Sequence, residues 1–429
     1  MGERSSEAEF EEATAEIVAP HPHSWKNWQK FLEGLGALQI SELRLYSDVH
    51  FIAEAYNFGP YSFLNALAHS QKDPGALRPG IVLRAEWHLM PDIRVPMETN
   101  DDHYHGGDLF DELTALASLL LNARIMAGPV DREFRPGEDP MGRPQGHDAS
   151  YLPALPKSNQ QPQLPYITGS RDLRDLADLG SLPHLAPGAA AALIKAARLF
   201  QNGLWVADAS PENSWLLLVS AIETAAAHWD DDKRTPEERF ALSYGGVISM
   251  LKKAQVDNLI PKMARAFKGV IGATSKFVGF LEAFSPGEPE KRPTFGKLDY
   301  SQQAMAAAFN RIYALRSRAL HAGVPFPYPM CIPPERYDDG PYAEVPGGLA
   351  VSARGATWSR NDTPMLLHTF AYLARGALLT WWRTLIPEEI QKMPPIFSER
   401  LTALGPVSDR FRPLTPDPQQ GTDVSDEAE

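Results

Sequence analysis

Seven prolines fall between residues 135 and 170, mixed with glycine, asparagine and glutamine. Proline lacks a backbone N–H and clashes with the preceding turn, so such a stretch runs through neither a helix interior nor a central strand. It therefore divides the chain. Residues 135–180 read as a Pro-rich linker between two regions with different hydrophobic periods.

Upstream, residues 21–134 mix two periods. Trp25, Trp28 and Phe31 recur at helical spacing over 24–35. Asp48–Tyr56 and Gly80–Leu89 have strand character and are flanked by Gly and Pro. Leu109, Leu113, Leu116 and Leu120 predict a helix from Gly107 to Met126. The expectation is an α+β N-terminal module. Downstream, over 181–395, the pattern is helical. Pro187 opens a helix that runs to Ala207, and Ser210-Pro211-Glu212 caps the next, which carries Glu223. Thr235-Pro-Glu-Glu238 is a capping box. Residues 324–362 have no clear period and read as a long loop that should lie over something. Thr363–Ile386 is strongly apolar, with Trp381 and Trp382 expected in the core or at a dimer interface. The second region therefore predicts a mostly α-helical bundle.

The formal net charge is −13, which at first sight disfavours a nucleic-acid partner. Its location changes that reading. Residues 1–20 carry −5, and the last seventeen residues of the 396–429 tail carry another −5. Both tails are expected to be solvated, and residues 1–20 to be disordered. Between Pro211 and Gly323 fifteen Lys/Arg face twelve Asp/Glu, so this region is mildly basic and admits RNA. Lys262, Arg265 and Lys268 are the candidate backbone contacts there, although such a run is also what a solvated helix face looks like. The first residues lack an apolar h-region, and no apolar run is long enough for a membrane span. The lone Cys331 allows no internal disulfide. The expected location is the cytoplasm, with no membrane partner.

One helix end concentrates the chemistry. From Ser301, Met305, Phe309, Ile312 and Leu320 follow a helical stripe, and Gly323 with Pro325 stops it. Arg316 falls on the same side as that stripe, where a guanidinium needs a partner. Glu223 lies among Val219, Ile222 and Ala226 and is the natural candidate. His321 sits in the last turn, where the helix dipole favours its charged form.

The pattern Tyr313, Arg316, Ser317, His321, Gly323 resembles the Tyr-x-x-Arg-Ser-x-x-x-His-x-Gly signature of the HEPN superfamily, and of its Apea-like branch in particular. The helix around Glu223 resembles the acidic helix of the same branch. The resemblance spans roughly 187–325 and implies a HEPN-like helical domain. It further implies a metal-independent endoribonuclease, in antiviral defence or stress response, with no cofactor. His321 would act as general acid/base and Arg316 would hold the scissile phosphate, with Ser317, Tyr313 and Glu223 in support. HEPN nucleases pair two protomers at a shared cleft, so a homodimer acting on RNA is expected.

Two other readings stand beside it. In one, Arg316 is locked to Glu223 and the domain is a non-catalytic scaffold that binds a nucleotide, RNA or a protein partner. In the other, His103, His105 and Asp108 form a metallohydrolase centre. The Asp101–Asp108 segment reads more simply as a polar turn before a helix, with no metal. No Gly-rich phosphate loop, His-Glu-x-x-His or Gly-x-Ser-x-Gly motif is present.

Overall fold

The computed structural model describes residues 21–53, 56–66, 76–89, 99, 101, 104–138, 143–144, 152–156, 161–229 and 235–391. The acidic tails, His103 and the Lys268 side chain lie outside them. So does most of the first half of the Pro-rich stretch.

The N-terminal region is mixed α/β. Helix α1 (His23–Leu32) leads into β1 (Gln39–Ser47), β2 (His50–Ile52), β3 (Tyr56–Phe58), β4 (Tyr61–Asn65) and β5 (Arg78–Trp87). After α2 (Leu109–Leu121) come β6 (Ile125–Phe134) and β7 (Arg143–Pro144). The antiparallel sheet has the order β3-β4-β5-β1-β6-β7. Alternation along the strands sorts its two faces. Leu43, Leu45, Phe63, Ile81 and Leu83 point inward and are fully buried. On the other face Glu42 bridges Arg84 and Arg132, each at 2.8 Å.

Helix α2 is buried along almost its whole length, because it lies between the sheet and the helices that follow. Asp108 accepts from the backbone of Phe110 and Asp111 and so caps it. The helix stops at Leu121 rather than Met126, because Asn122 turns left-handed (φ 48°) and hands the chain to β6.

The C-terminal region is largely helical. It comprises α3 (Pro187–Val206), α4 (Pro211–His228), α5 (Pro236–Ser243), α6 (Gly245–Lys253), α7 (Ile260–Ala266), α8 (Lys268–Phe284), α9 (Gln302–Ala322), α10 (Leu367–Leu385) and α11 (Glu388–Gln391). Trp381 and Trp382 are both core residues, and the Trp382 indole donates to Ser181 Oγ at 2.9 Å. Helices α5 to α7 gather round a small satellite core of Phe240 and Ala264. The long 324–362 segment packs Phe326, Met330, Cys331, Ala343 and Val345 onto the bundle. It also carries a hairpin, Ala350–Ala353 with Ala356–Ser359.

The second half of the Pro-rich stretch is structured. Leu164, Ile167, Leu173, Leu176, Leu179 and Leu182 are buried, and Ser170–Asp172 (β8) pairs in parallel with β2. These residues form a strap that joins sheet and bundle in one continuous hydrophobic core. Arg124 fastens the same junction. Its guanidinium bonds Asp48 at 2.8 Å, Asp208 at 2.5 Å and the Leu204 carbonyl at 2.9 Å.

Candidate functional site

Helices α4 and α9 bring Glu223, Tyr313 and Arg316 together. Helix α4 is held in place by Trp215, which stacks on Phe326 and Phe370 at ring separations of 5.2 and 4.9 Å. Helix α9 buries Met305, Ala308, Phe309, Ile312, Tyr313 and Leu315. Gly323 closes it at φ 64°, a conformation that glycine takes without a Cβ clash. Leu320, expected in the buried stripe, is instead 51% exposed. The helix runs past the edge of the bundle there: Leu315 is its last buried residue, and every residue from Leu320 to Pro325 is exposed.

Arg316 Nη2 lies 2.6 Å from Glu223 Oε2. Tyr313 hydrogen-bonds the same carboxylate, and the Arg316 guanidinium sits 5.8 Å from the centre of the Tyr313 ring. Burial raises the Glu223 carboxyl above its usual range, while Arg316 and the Tyr313 hydroxyl pull it back. Burial and the nearby carboxylate push the Tyr313 phenol up to about 12, so it remains a donor at neutral pH. Only one arm of the Arg316 fork is bonded. Its Nε is buried without a hydrogen-bond partner, and Nη1 makes no hydrogen bond among the described residues.

His321 is exposed in the last turn of α9, and Ser317 is half-buried between it and Arg316. Neither side chain is hydrogen-bonded among the described residues. Arg318 is exposed, as expected of a solvated neighbour. Lys262 and Arg265 are exposed on α7, which packs Ile260, Met263 and Ala264 into the satellite core.

Of the metal alternative, His103 lies outside the described residues, and His105 and Asp108 have other work. His105 Nε2 bonds the buried Glu112 carboxylate at 2.7 Å, and Asp108 caps α2. Among the described residues no group of three or more His, Cys, Asp or Glu could hold a metal ion. No described helix is long and apolar enough to cross a membrane. Cys331 is buried, and burial pushes its thiol well above the usual range.

Sequence reasoning missed the Glu112 network. Glu112 also accepts from the backbone of His23 and Ser24, at 2.9 and 2.7 Å, and from the Ser24 hydroxyl at 2.5 Å. The available signal was one acid inside an apolar helical stripe, which demands partners. Comparison with protein-family models, with curated proteins and with solved structures returns no match.

Proposed function

We propose that this chain is a metal-independent endoribonuclease of the HEPN type, acting at Arg316 and His321. RNA supplies its own nucleophile, so the protein need only move protons and stabilise charge. His321 takes the proton from a 2′-hydroxyl, whose oxygen attacks the adjacent phosphorus. The bond to the 5′-oxygen breaks, and His321 returns its proton to that oxygen as it leaves, which regenerates the neutral imidazole. The products are a 2′,3′-cyclic phosphate and a 5′-hydroxyl. Arg316 neutralises the pentacovalent phosphorane through the arm of its fork that Glu223 leaves free.

The observation that carries this reading is that half-committed guanidinium. It is oriented by Glu223 and Tyr313, and an unbonded, exposed histidine follows in the next turns of the same helix. Leu320 and Val324, 51% and 39% exposed, flank His321 in sequence and offer apolar surface for a second copy of the chain. The test is cleavage of a single-stranded RNA with EDTA present, comparing wild type with His321→Ala. Loss of cleavage in the variant, with unchanged EDTA tolerance, is the expected result.

The ion pair itself favours a second reading, a non-catalytic module in which Glu223 permanently occupies Arg316. Under that reading the wild type binds RNA or another partner and cleaves nothing.

A further inference from the structure

A cavity of about 440 Å³ lies on a different part of the molecule and shares no residue with the Arg316 cluster. It is bordered by the strap near 164–167, the 289–300 segment, residues 341–344 and the stretch of α10 from His368 to Arg375. Its size is typical of small-molecule sites, and aromatic walls with a few polar groups are what such sites present.

Tyr166, Tyr342 and Tyr372 supply the ring walls. Tyr166 is held edge-on to both Tyr342 and His368, with ring centres 5.7 Å apart in each case. The polar groups are few and specific. Tyr300 Oη is buried and has no hydrogen-bond partner. Burial and the neighbouring carboxylate hold its phenol above the usual range, so it stays a donor. His368 Nε2 bonds the Ala343 carbonyl at 2.7 Å, so Nε2 carries the proton and Nδ1 is an acceptor.

Arg375 and Lys291 are the cations of the lining, and Glu290 and Glu344 are its carboxylates. Arg375 Nε and Nη2 bond the Leu119 and Leu120 carbonyls at the C-terminus of α2, while Nη1 makes no hydrogen bond among the described residues. No described carboxylate pairs with it. Burial pushes Arg375 down to about 10, Arg171 and Arg383 repel its charge, and Asp175 attracts it. Glu344 does not compensate, because Arg292 and the Leu298 N–H already engage it. A cation this poorly matched, beside aromatic walls, is complementary to a ligand that joins a ring to a negative charge.

We propose that this cavity binds a small planar-ring anion. Its ring lies against Tyr166, Tyr342 and Tyr372, and its carboxylate or phosphate meets the Arg375 guanidinium. Tyr300 Oη and His368 Nδ1 read polar atoms on the ring edge. An aromatic carboxylate and a nucleoside monophosphate share this chemistry.

Isothermal titration of the full chain with indole-3-acetate and with adenosine 5′-monophosphate separates the two headgroups. Indole and adenosine serve as the uncharged counterparts. One anion should bind saturably with a Kd below about 1 mM. Its neutral counterpart should bind at least roughly tenfold more weakly, because a charge-assisted contact is lost. Tyr300→Phe and Arg375→Gln should each weaken binding about tenfold. Arg375→Gln also removes a helix cap. Tyr372→Ala, at an exposed side chain, therefore carries the test if that variant does not fold. Arg316→Lys and His321→Ala should bind as wild type does, which separates this site from the proposed RNA site. Absence of binding by both anions at about 1 mM overturns the proposal. So does binding that survives Tyr372→Ala and Tyr300→Phe but disappears in Arg316→Lys.

Discussion

Arg316 Nη2 and Glu223 Oε2 lie 2.6 Å apart, and each side chain keeps 20% of its surface in solvent. The pair is therefore intermediate between a dry core bridge and a surface contact. Removing one partner of a fully buried pair costs roughly 3–5 kcal/mol, whereas exposed pairs contribute about 0–1 kcal/mol. Arg316→Ala should accordingly destabilise the protein by about 1–2 kcal/mol in urea unfolding. Arg316→Lys should lose less stability and still lose RNA cleavage, because a single ammonium cannot serve both Glu223 and a phosphate. Wild-type cleavage by Arg316→Lys would exclude Arg316 from transition-state binding.

His321 separates catalysis from folding. It is exposed and unbonded, and alanine is well tolerated in a helix. His321→Ala should change stability by less than about 1 kcal/mol, with a Tm within a few degrees of wild type. Cleavage should nonetheless be abolished. An active His321→Ala variant, or a wild type that cuts only with an added divalent ion, would falsify the proposed mechanism.

The long periodic helices were legible because their apolar spacing and their punctuation agree. Pro187, the Thr235–Glu238 box and Gly323 mark real boundaries. Strand β6 was hidden by Gly128-Pro129, which reads as a break. In the sheet these two residues sit where the β1–β6 register slips, since Leu43 pairs with Val130 and Leu45 with Ala127. The bulge accommodates a proline that has no N–H to donate. The Arg316–Glu223 pairing was readable because an arginine on a packed helix face needs an acid, and one acid stood in a matching stripe. The cavity was not readable. Tyr166, Tyr300 and Tyr372 come from three separate segments, and only the folded strap brings them together.

The same logic predicts a stability role for Glu112. Its fully buried carboxylate accepts from His23, Ser24 and His105, tying the start of α1 to α2. Glu112→Ala leaves those donors unmatched and should cost about 3–5 kcal/mol in urea unfolding. Glu112→Gln keeps the shape but has one fewer acceptor oxygen and should cost less. Limited proteolysis should cut near residue 23 faster in Glu112→Ala than in wild type. Equal cutting rates would show that the N-terminal segment is held by packing alone.

His368 should contribute a pH dependence of its own. It is almost fully buried, and desolvation lowers its pKa from 6.5 to about 4, against smaller opposing effects of the Ala343 carbonyl and Glu344. The folded protein thus keeps the ring neutral where the unfolded chain already protonates it. Between about pH 6.5 and 4 the unfolded state binds more protons, so stability falls as the pH falls and is complete above 6.5. The loss is about 2 kcal/mol by pH 5 and on the order of 3 kcal/mol by pH 4. Glu223 acts with the opposite sign, because its raised carboxyl takes up a proton more readily in the folded state. Comparison of one variant with wild type isolates the histidine. His368→Gln can still donate to the Ala343 carbonyl but does not titrate. Its urea midpoint should drop less between pH 7 and pH 5 than the wild-type midpoint does. Equal drops in the two proteins would assign the acid sensitivity to other groups.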